Sequence, residues 1–273
     1  MLNFIKQKIE KHRLKRTFQE YGYKVNEFFI DTIGKVRYAQ WLHPMEGPKE
    51  VTSSNIGFYK TLVQPGATIV DIGAHTGDTT VPMAVASGKE GLVIALEPNP
   101  YVFKILETNS TLNTEITNII PLCFAATQSD GDFIFHYSDA SFCNGGFLTQ
   151  LKNQKHNHSY TLTVKGQNLQ DYLFNNFNDR LPRLELLKVD AEGYDKEILK
   201  TLTKIITTYK PTIMAECYKK LTTQERLELF DVISNNGYDL YYLENFEENA
   251  KKVKIDRSDM DKRRHFEILA FPK

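Results

Sequence analysis

The sequence predicts an α/β fold, a doubly wound and mostly parallel seven-stranded sheet with an antiparallel last strand and an N-terminal helical extension. From residue 66 onward, short apolar runs alternate with helical stretches about as long as a crossover connection requires. The first run ends in a glycine-containing turn, which is typical of a strand that leads into a ligand-binding crevice. Two late runs, 238–245 and 265–271, are joined by a charged loop, which predicts an antiparallel pair at one edge.

The predicted elements follow one another in a regular order. Buried strands are predicted at 68–73, 91–98, 118–126, 184–193 and 211–218. The runs FIFHYSD and YTLTVKG predict an antiparallel pair inserted between the third and fourth of these strands. A helix is predicted to begin at Asp195 and to continue through Ile206, and another to follow Thr222, which fits a capping box with Glu225.

The beginning of the chain predicts a separate element. Residues 2–18 carry apolar side chains near helical spacing among six bases and one acid, which predicts a basic amphipathic helix. We therefore expect an N-terminal helical extension or lid over 1–50 and a main domain over 51–273. Two interpretations of the helix stay open: it attaches to a membrane surface or an anionic partner, or it packs on the domain with a solvated basic face.

Composition narrows the classes of function. Lys plus Arg and Asp plus Glu number 34 each, so the net charge of +0 argues against a nucleic-acid partner. No apolar run approaches the roughly 18 residues of a membrane span, so no transmembrane segment is expected. The three cysteines lie far apart, which excludes a disulfide framework and fits a reducing compartment. These features predict a cytoplasmic protein, and they do not predict its oligomeric state.

The turn after the first strand, DIGAHTGD over 71–78, indicates a cofactor site. Its two glycines allow the backbone to turn tightly and to approach a nucleotide-type ligand. Their Gly-x-x-x-Gly spacing differs from that of dinucleotide sites, and the carboxylate of Asp71 would repel a pyrophosphate but attract a methionyl ammonium. Glu97, at the end of the second strand, can accept hydrogen bonds from both ribose hydroxyls. The pattern therefore favours S-adenosylmethionine over NAD.

Three segments, VDIGAHTGDTT, ALEPNPYVFKILETN and LLKVDAEGYDKEIL, together resemble the FkbM-type methyltransferase family. The resemblance implies the Rossmann-like fold of class I S-adenosylmethionine-dependent methyltransferases for residues 51–273. It also implies that the glycine turn lies along the methionine part of the cofactor, that Glu97 lies on its ribose, and that adenine lies near 124–126. The predicted cofactor contacts are Asp71, Gly73, Ala74, Thr76, Gly77, Glu97, Pro98, Asn99, Ala125 and Asp190.

The fourth predicted strand carries candidate catalytic residues at its carboxyl end. A sugar hydroxyl is a poor nucleophile at neutral pH, and it needs either a general base or a metal ion that lowers its pKa. In one mechanism Asp190 or Glu192 is the base, with His75 as an alternative. In the other, Asp190 and Glu216 bind Mg²⁺, which holds the substrate oxygen. Some related class I O-methyltransferases use a metal at equivalent strand ends, and both mechanisms stay open.

These inferences lead to one functional hypothesis with alternatives. We expect an S-adenosylmethionine-dependent O-methyltransferase that acts on a hydroxyl of a carbohydrate, a glycan or another small hydroxylated metabolite. The alternatives are methylation of RNA or protein on the same fold, and a cofactor-binding partner protein without catalysis. The acceptor itself is determined by loops such as 19–60 and 127–165, where the pattern of one sequence is least informative.

Overall fold

The computed structural model describes residues 15–143, 146–148 and 160–273. Its strands are β1 (Tyr23–Ile30), β2 (Gly34–Trp41), β3 (Thr68–Ile72), β4 (Leu92–Leu96), β5 (Ile119–Leu122), β6 (Ala125–Thr127), β7 (Gly131–Tyr137), β8 (Phe147–Leu148), β9 (Tyr160–Asn168), β10 (Leu184–Val189), β11 (Thr212–Cys217), β12 (Tyr238–Leu243), β13 (Lys252–Lys254) and β14 (Phe266–Pro272). Its α-helices are α1 (Ser53–Lys60), α2 (Thr80–Ser87), α3 (Pro100–Thr111), α4 (Leu169–Asn176), α5 (Asp195–Thr201), α6 (Thr203–Tyr209) and α7 (Thr223–Ser234).

The central sheet confirms the predicted fold class. Within the described residues it has eight strands in the order β13-β12-β14-β11-β10-β3-β4-β5. The strands from β11 to β5 run parallel, whereas β14 is antiparallel to both β11 and β12. The short strand β13 adds an eighth strand to the predicted seven. The chain leads from β3 outward to β5 on one side and later to β10 and β11 on the other, so a ligand crevice is expected beyond the carboxyl ends of β3 and β10.

Apolar packing on both faces explains the continuous apolar runs of the central strands. Every residue of β3 and of β4 is buried, as is usual for parallel strands covered on both sides. Successive residues belong to different apolar clusters: Leu186 packs in the cluster that also contains Ile69, and Leu187 packs in the one that contains Val70. This alternation follows from the two-residue period of a strand, and it keeps the carboxyl ends of the strands at one edge.

Two of the predicted elements need correction, and two are confirmed. The run 118–126 is not one strand, because the chain leaves the central sheet after β5 and β6 pairs with β9 in a separate sheet of order β6-β9-β7-β8. The predicted helix from Asp195 to Ile206 is divided at Leu202 into α5 and α6. The inserted antiparallel pair is confirmed as β7 and β9, and the capping box of Thr222 and Glu225 is confirmed at the start of α7.

The N-terminal extension is not helical over the part that forms β1 and β2. These strands pair antiparallel as a hairpin, and Gly34 has the left-handed φ of 95° that its turn requires. The predicted amphipathic helix over 2–18 lies outside the described residues except for 15–18, and the proposed boundary at residue 50 stays a prediction. No helix in the described part of the chain has the length and apolar content of a membrane span.

Two asparagines of the α3 region attach the hairpin to the domain. Asn109 accepts from the backbone N–H of Ala39 at 2.6 Å and donates to the carbonyl of the same residue at 3.1 Å. Asn113 makes the equivalent pair with Arg37, with both distances 2.8 Å. Each side chain thus satisfies the main-chain groups of β2 that face away from β1, as a neighbouring strand would.

We expect Asn109→Ala to lower the free energy of unfolding by about 2–4 kcal/mol, because it leaves buried backbone groups of Ala39 without partners. Urea unfolding measures the loss, and amide exchange at Ala39 should accelerate. Asn176→Ala is the control, since its side chain donates one exposed hydrogen bond to Tyr172, at 2.8 Å, and a change within about 0.5 kcal/mol is expected. Equal losses in the two variants would contradict this account of the hairpin.

Candidate cofactor and catalytic site

A crevice lies beyond the carboxyl ends of β3, β4 and β10. Six of the predicted cofactor residues line it: Gly73, Glu97, Pro98, Asn99, Ala125 and Asp190. The candidate catalytic residues His75 and Glu192 line it as well. The crevice therefore brings together side chains that are more than one hundred residues apart in sequence, at the position expected from the strand order.

Four other predicted cofactor residues do not belong to the lining: Asp71, Ala74, Thr76 and Gly77. Asp71, Ala74 and Thr76 are fully buried behind the crevice. The hydroxyl of Thr76 lies 2.7 Å from that of Tyr38 and so contacts the hairpin. A Cβ at Gly77 would approach Leu106 of α3 to 3.1 Å, so this glycine serves the packing of the turn against α3. Contact of these four residues with a cofactor stays a prediction.

Gly73 is the position where the turn allows no side chain. Its φ is 76°, and a Cβ there would collide with the main-chain oxygen of Asp190. The amides of Gly73 and Ala74 both donate to the carbonyl of Leu96, at 3.1 and 2.9 Å. The turn after β3 is thereby held against both neighbouring strands, β10 and β4, which gives the floor of the crevice its shape.

Below this turn, Asp71 and Lys188 form a buried ion pair between β3 and β10. The ammonium of Lys188 lies 3.0 Å from the Asp71 carboxylate and 3.3 Å from the carbonyl oxygen of Gly73. The other carboxylate oxygen of Asp71 accepts from the hydroxyl of Thr80 at 2.6 Å, at the start of α2. Burial alone would lower the pKa of Lys188, but the carboxylates of Asp71 and Asp190 raise it above its usual value. Asp71 therefore organises the turn from below.

Glu97 lies at the end of β4 and is oriented by two backbone amides. It accepts from His75 N–H at 3.1 Å and from Asn99 N–H at 2.8 Å. Burial raises its pKa, while the charge of His75 and the two amide bonds act in the opposite direction. Each carboxylate oxygen keeps a free lone pair after these bonds, so the group can still accept from two further donors. Asn99 also caps α3, since its side chain accepts from the N–H of Tyr101 at 3.0 Å.

The candidate bases have different surroundings. The Asp190 side chain is 44% exposed and lies 3.7 Å from the ammonium of Lys188. Glu192 has a left-handed φ of 51°, and burial raises its pKa although a hydrogen bond with Tyr218 acts against the rise. The ring nitrogen Nε2 of His75 lies 3.3 Å from the carbonyl oxygen of Cys143, across the crevice. Because the strand ends at Val189 and Glu192 has a left-handed backbone, the strand predicted over 184–193 is shorter than expected.

Three further acids at this edge of the sheet complete an acidic cluster. Asp195 is buried and accepts from the amides of Gly193 and Glu216, and burial raises its pKa to about 8. Burial raises the pKa of Glu216 to about 10 and that of Glu267 to about 7, and the negative charge of Asp190 adds to both shifts. Sequence reasoning missed Glu267, because its pairing with β11 is visible only in the folded sheet.

The Mg²⁺ pair of Asp190 and Glu216 stays a prediction, and a different group of donor atoms converges at Glu216. Among the described residues, the group of donor atoms within 4.8 Å of one another belongs to Glu216, His265 and Glu267. Asp190 lies outside this group. Its carboxylate is instead the one that lines the crevice next to the turn of Gly73.

Comparison with known proteins identifies similar proteins that are described as methyltransferases. The model of the Methyltransferase FkbM domain matches residues 71–240. Hexuronic acid methyltransferase AglP from Haloferax volcanii is 29% identical over 137 residues, which cover 50% of each chain, so the match spans about half the length of that relative. Methyltransferase sdnD from Sordaria araneosa is 22% identical over 193 residues, or 63% of this chain and 73% of that protein.

A solved structure with the same family description is also similar. Methyltransferase FkbM from Methylobacillus flagellatus has 13% sequence identity, and the superposition covers 79% of this chain and 50% of that chain with a TM-score of 0.44.

We expect Lys188→Met to lower the free energy of unfolding by about 3–5 kcal/mol, because it leaves the buried Asp71 carboxylate without its counter-ion. Lys35→Met is the matched control, since Lys35 forms an exposed ion pair with Glu27 at 3.0 Å, and such pairs contribute about 1 kcal/mol or less. Urea unfolding of both variants measures the difference. If Lys188→Met lowered the free energy of unfolding no more than Lys35→Met does, the buried ion pair would not be required for stability.

Proposed function

The chain belongs to the FkbM methyltransferase family, and from this premise we propose that it transfers a methyl group from S-adenosylmethionine to a hydroxyl of a carbohydrate, a glycan or a similar small metabolite. The observation that carries the proposal is the crevice in which Glu97 of one strand end faces Asp190 and Glu192 of another, across the turn of Gly73. The sugar acceptor is supported by the relative named for hexuronic acid methylation.

The cofactor fits the crevice by its chemistry. Glu97 is oriented by two amides and keeps acceptor capacity for the two ribose hydroxyls. The apolar residues Phe124, Ala125 and Ala126 line the adjacent wall, which suits an adenine ring. The carboxylates of Asp190 and Glu192 give the other end a negative potential, which favours a cationic sulfonium and ammonium over a pyrophosphate. The residues present therefore fit S-adenosylmethionine at both ends.

When bound, S-adenosylmethionine supplies an electrophilic methyl group for an in-line displacement. The chain aligns the acceptor oxygen with that group and removes its proton as the new carbon–oxygen bond forms and the carbon–sulfur bond breaks. Asp190 is the proposed base, because its side chain is 44% exposed, lines the crevice and lies 3.7 Å from the ammonium of Lys188. Glu192, whose pKa is raised by burial, is the next candidate to hold that proton.

The proposal is tested by incubating the protein with S-adenosylmethionine and a panel of hexuronic acids, neutral sugars and glycans. Mass spectrometry should show a gain of one methyl group on at least one of them, together with release of S-adenosylhomocysteine. Methylation of RNA or of a protein in the same assay, with no sugar modified, would replace the proposed acceptor class. Failure of S-adenosylhomocysteine to stabilise the fold would contradict the proposal itself.

Asp190→Asn is expected to reduce turnover by about 10²-fold or more, because the amide cannot accept the hydroxyl proton. The affinity for S-adenosylhomocysteine should change only a few-fold. Glu185→Gln is the matched control on the same strand, where its carboxylate accepts from the amide of Gln64 at 2.7 Å, far from the crevice. Normal turnover in Asp190→Asn would exclude Asp190 as the base and would leave Glu192 as the next candidate.

Glu97→Gln is expected to weaken binding of S-adenosylhomocysteine by about 10-fold or more, because charged acceptors form the stronger hydrogen bonds with hydroxyl groups. Isothermal titration calorimetry measures the change. Glu107→Gln, which alters an exposed acid of α3, should leave the affinity unchanged. Equal affinities in Glu97→Gln and the unmodified protein would show that this carboxylate does not hold the ribose.

A further inference from the structure

Three side chains with metal-ligating atoms meet on one face of the sheet, beside the crevice. Glu216 of β11 and Glu267 of β14 are direct partners in the antiparallel ladder, so their side chains point to the same face. His265 lies immediately before β14, and its Nδ1 is 3.3 Å from an oxygen of Glu216. One ligand atom of each of the three lies within 4.8 Å of the others.

One oxygen in this group has no partner. The Glu216 side chain is 8% exposed, and its oxygen Oε1 lies 3.3 Å from Nδ1 of His265. Its other oxygen, Oε2, is buried and, within the residues that the structure describes, accepts no hydrogen bond. An unsatisfied buried carboxylate oxygen is costly, so its position inside a group of converging ligands points to an occupant that supplies positive charge.

The surrounding charges also favour a cation. Glu216 and Glu267 are carboxyl groups placed directly opposite each other on neighbouring strands, and ionising both is unfavourable unless a positive charge lies between them. Asp190 adds negative charge to both. The buried ammonium of Lys188 is engaged by the Asp71 carboxylate at 3.0 Å, so its charge is already balanced there.

We propose that Glu216, His265 and Glu267 form a binding site for one first-row divalent cation. Two carboxylates and one imidazole suit Mn²⁺, Fe²⁺ or Zn²⁺ better than Mg²⁺ or Ca²⁺, which prefer oxygen ligands alone. His265 is exposed, so the cation keeps open positions for water or for a ligand from solution. Metal binding at this site requires no bound methyl donor, so it can be tested independently of the proposed methyl transfer.

The test uses the full-length protein, freed of metal with a chelator and titrated with MnCl₂. Electron paramagnetic resonance of free Mn²⁺ should show saturable binding of one ion per chain. Pulsed spectra of the bound ion should show coupling to one imidazole nitrogen, which requires no variant. An excess of Zn²⁺ should displace the Mn²⁺ more effectively than the same excess of Mg²⁺.

Two variants and one control locate the site. His265→Ala and Glu267→Gln are each expected to weaken Mn²⁺ binding by about 10-fold or more, because each removes one ligand. Glu115→Gln, at an exposed acid 3.6 Å from Arg37, should not change it. Urea unfolding verifies that each variant is folded. Absence of saturable binding, absence of nitrogen coupling, or unchanged affinity in folded His265→Ala and Glu267→Gln would each overturn the proposal.

Discussion

The arrangement of the crevice depends on the buried ion pair between Lys188 and Asp71. The pair joins β10 to β3, which lie at the point where the strand order of the sheet reverses. The ammonium of Lys188 also donates to the carbonyl of Gly73. Because Thr80 donates to the same carboxylate, the pair holds the beginning of α2 as well. Desolvation makes a buried ion pair expensive unless its other hydrogen-bonding positions are satisfied, and here they are. One interaction thus connects two strands, the turn after β3 and the beginning of α2.

Above this pair, the carboxyl edge of the sheet carries more acidic than basic side chains. Burial raises the pKa of Asp195, Glu216 and Glu267, so folding brings together carboxylic acids that would be ionised in an unfolded chain. Such an edge stabilises ligands that bring positive charge, whether as a sulfonium, an ammonium or a metal ion. The net charge of the whole chain does not reveal this acidic edge. Basic and acidic residues are equal in number over the sequence, but they are not equally distributed around the crevice.

Sequence patterns predicted the parts of the molecule whose structure depends on residues close together in the chain. The central strands, the glycine turn and the acids at the strand ends follow from apolar runs and from backbone conformations that only glycine adopts easily. The hairpin was missed because β1 is mostly exposed and lacks a clear apolar alternation. The buried position of Asp71 depends on Lys188, and the meeting of Glu216 with Glu267 depends on strand pairing. Both contacts are long-range, and no local pattern contains them.

The way in which Asn109 and Asn113 hold the hairpin has a consequence for movement within the domain. Both side chains bind main-chain groups of Ala39 and Arg37, so these four hydrogen bonds do not depend on the side chains at those two positions. The buried side chains of Val36, Tyr38 and Trp41 add packing contacts to this attachment. Asn109 lies on α3 and Asn113 follows its end, while the N-cap of the same helix is Asn99, whose amide donates to Glu97. A displacement of α3 would therefore move the hairpin and the residues next to Glu97 together, so the two outer strands are mechanically coupled to the crevice.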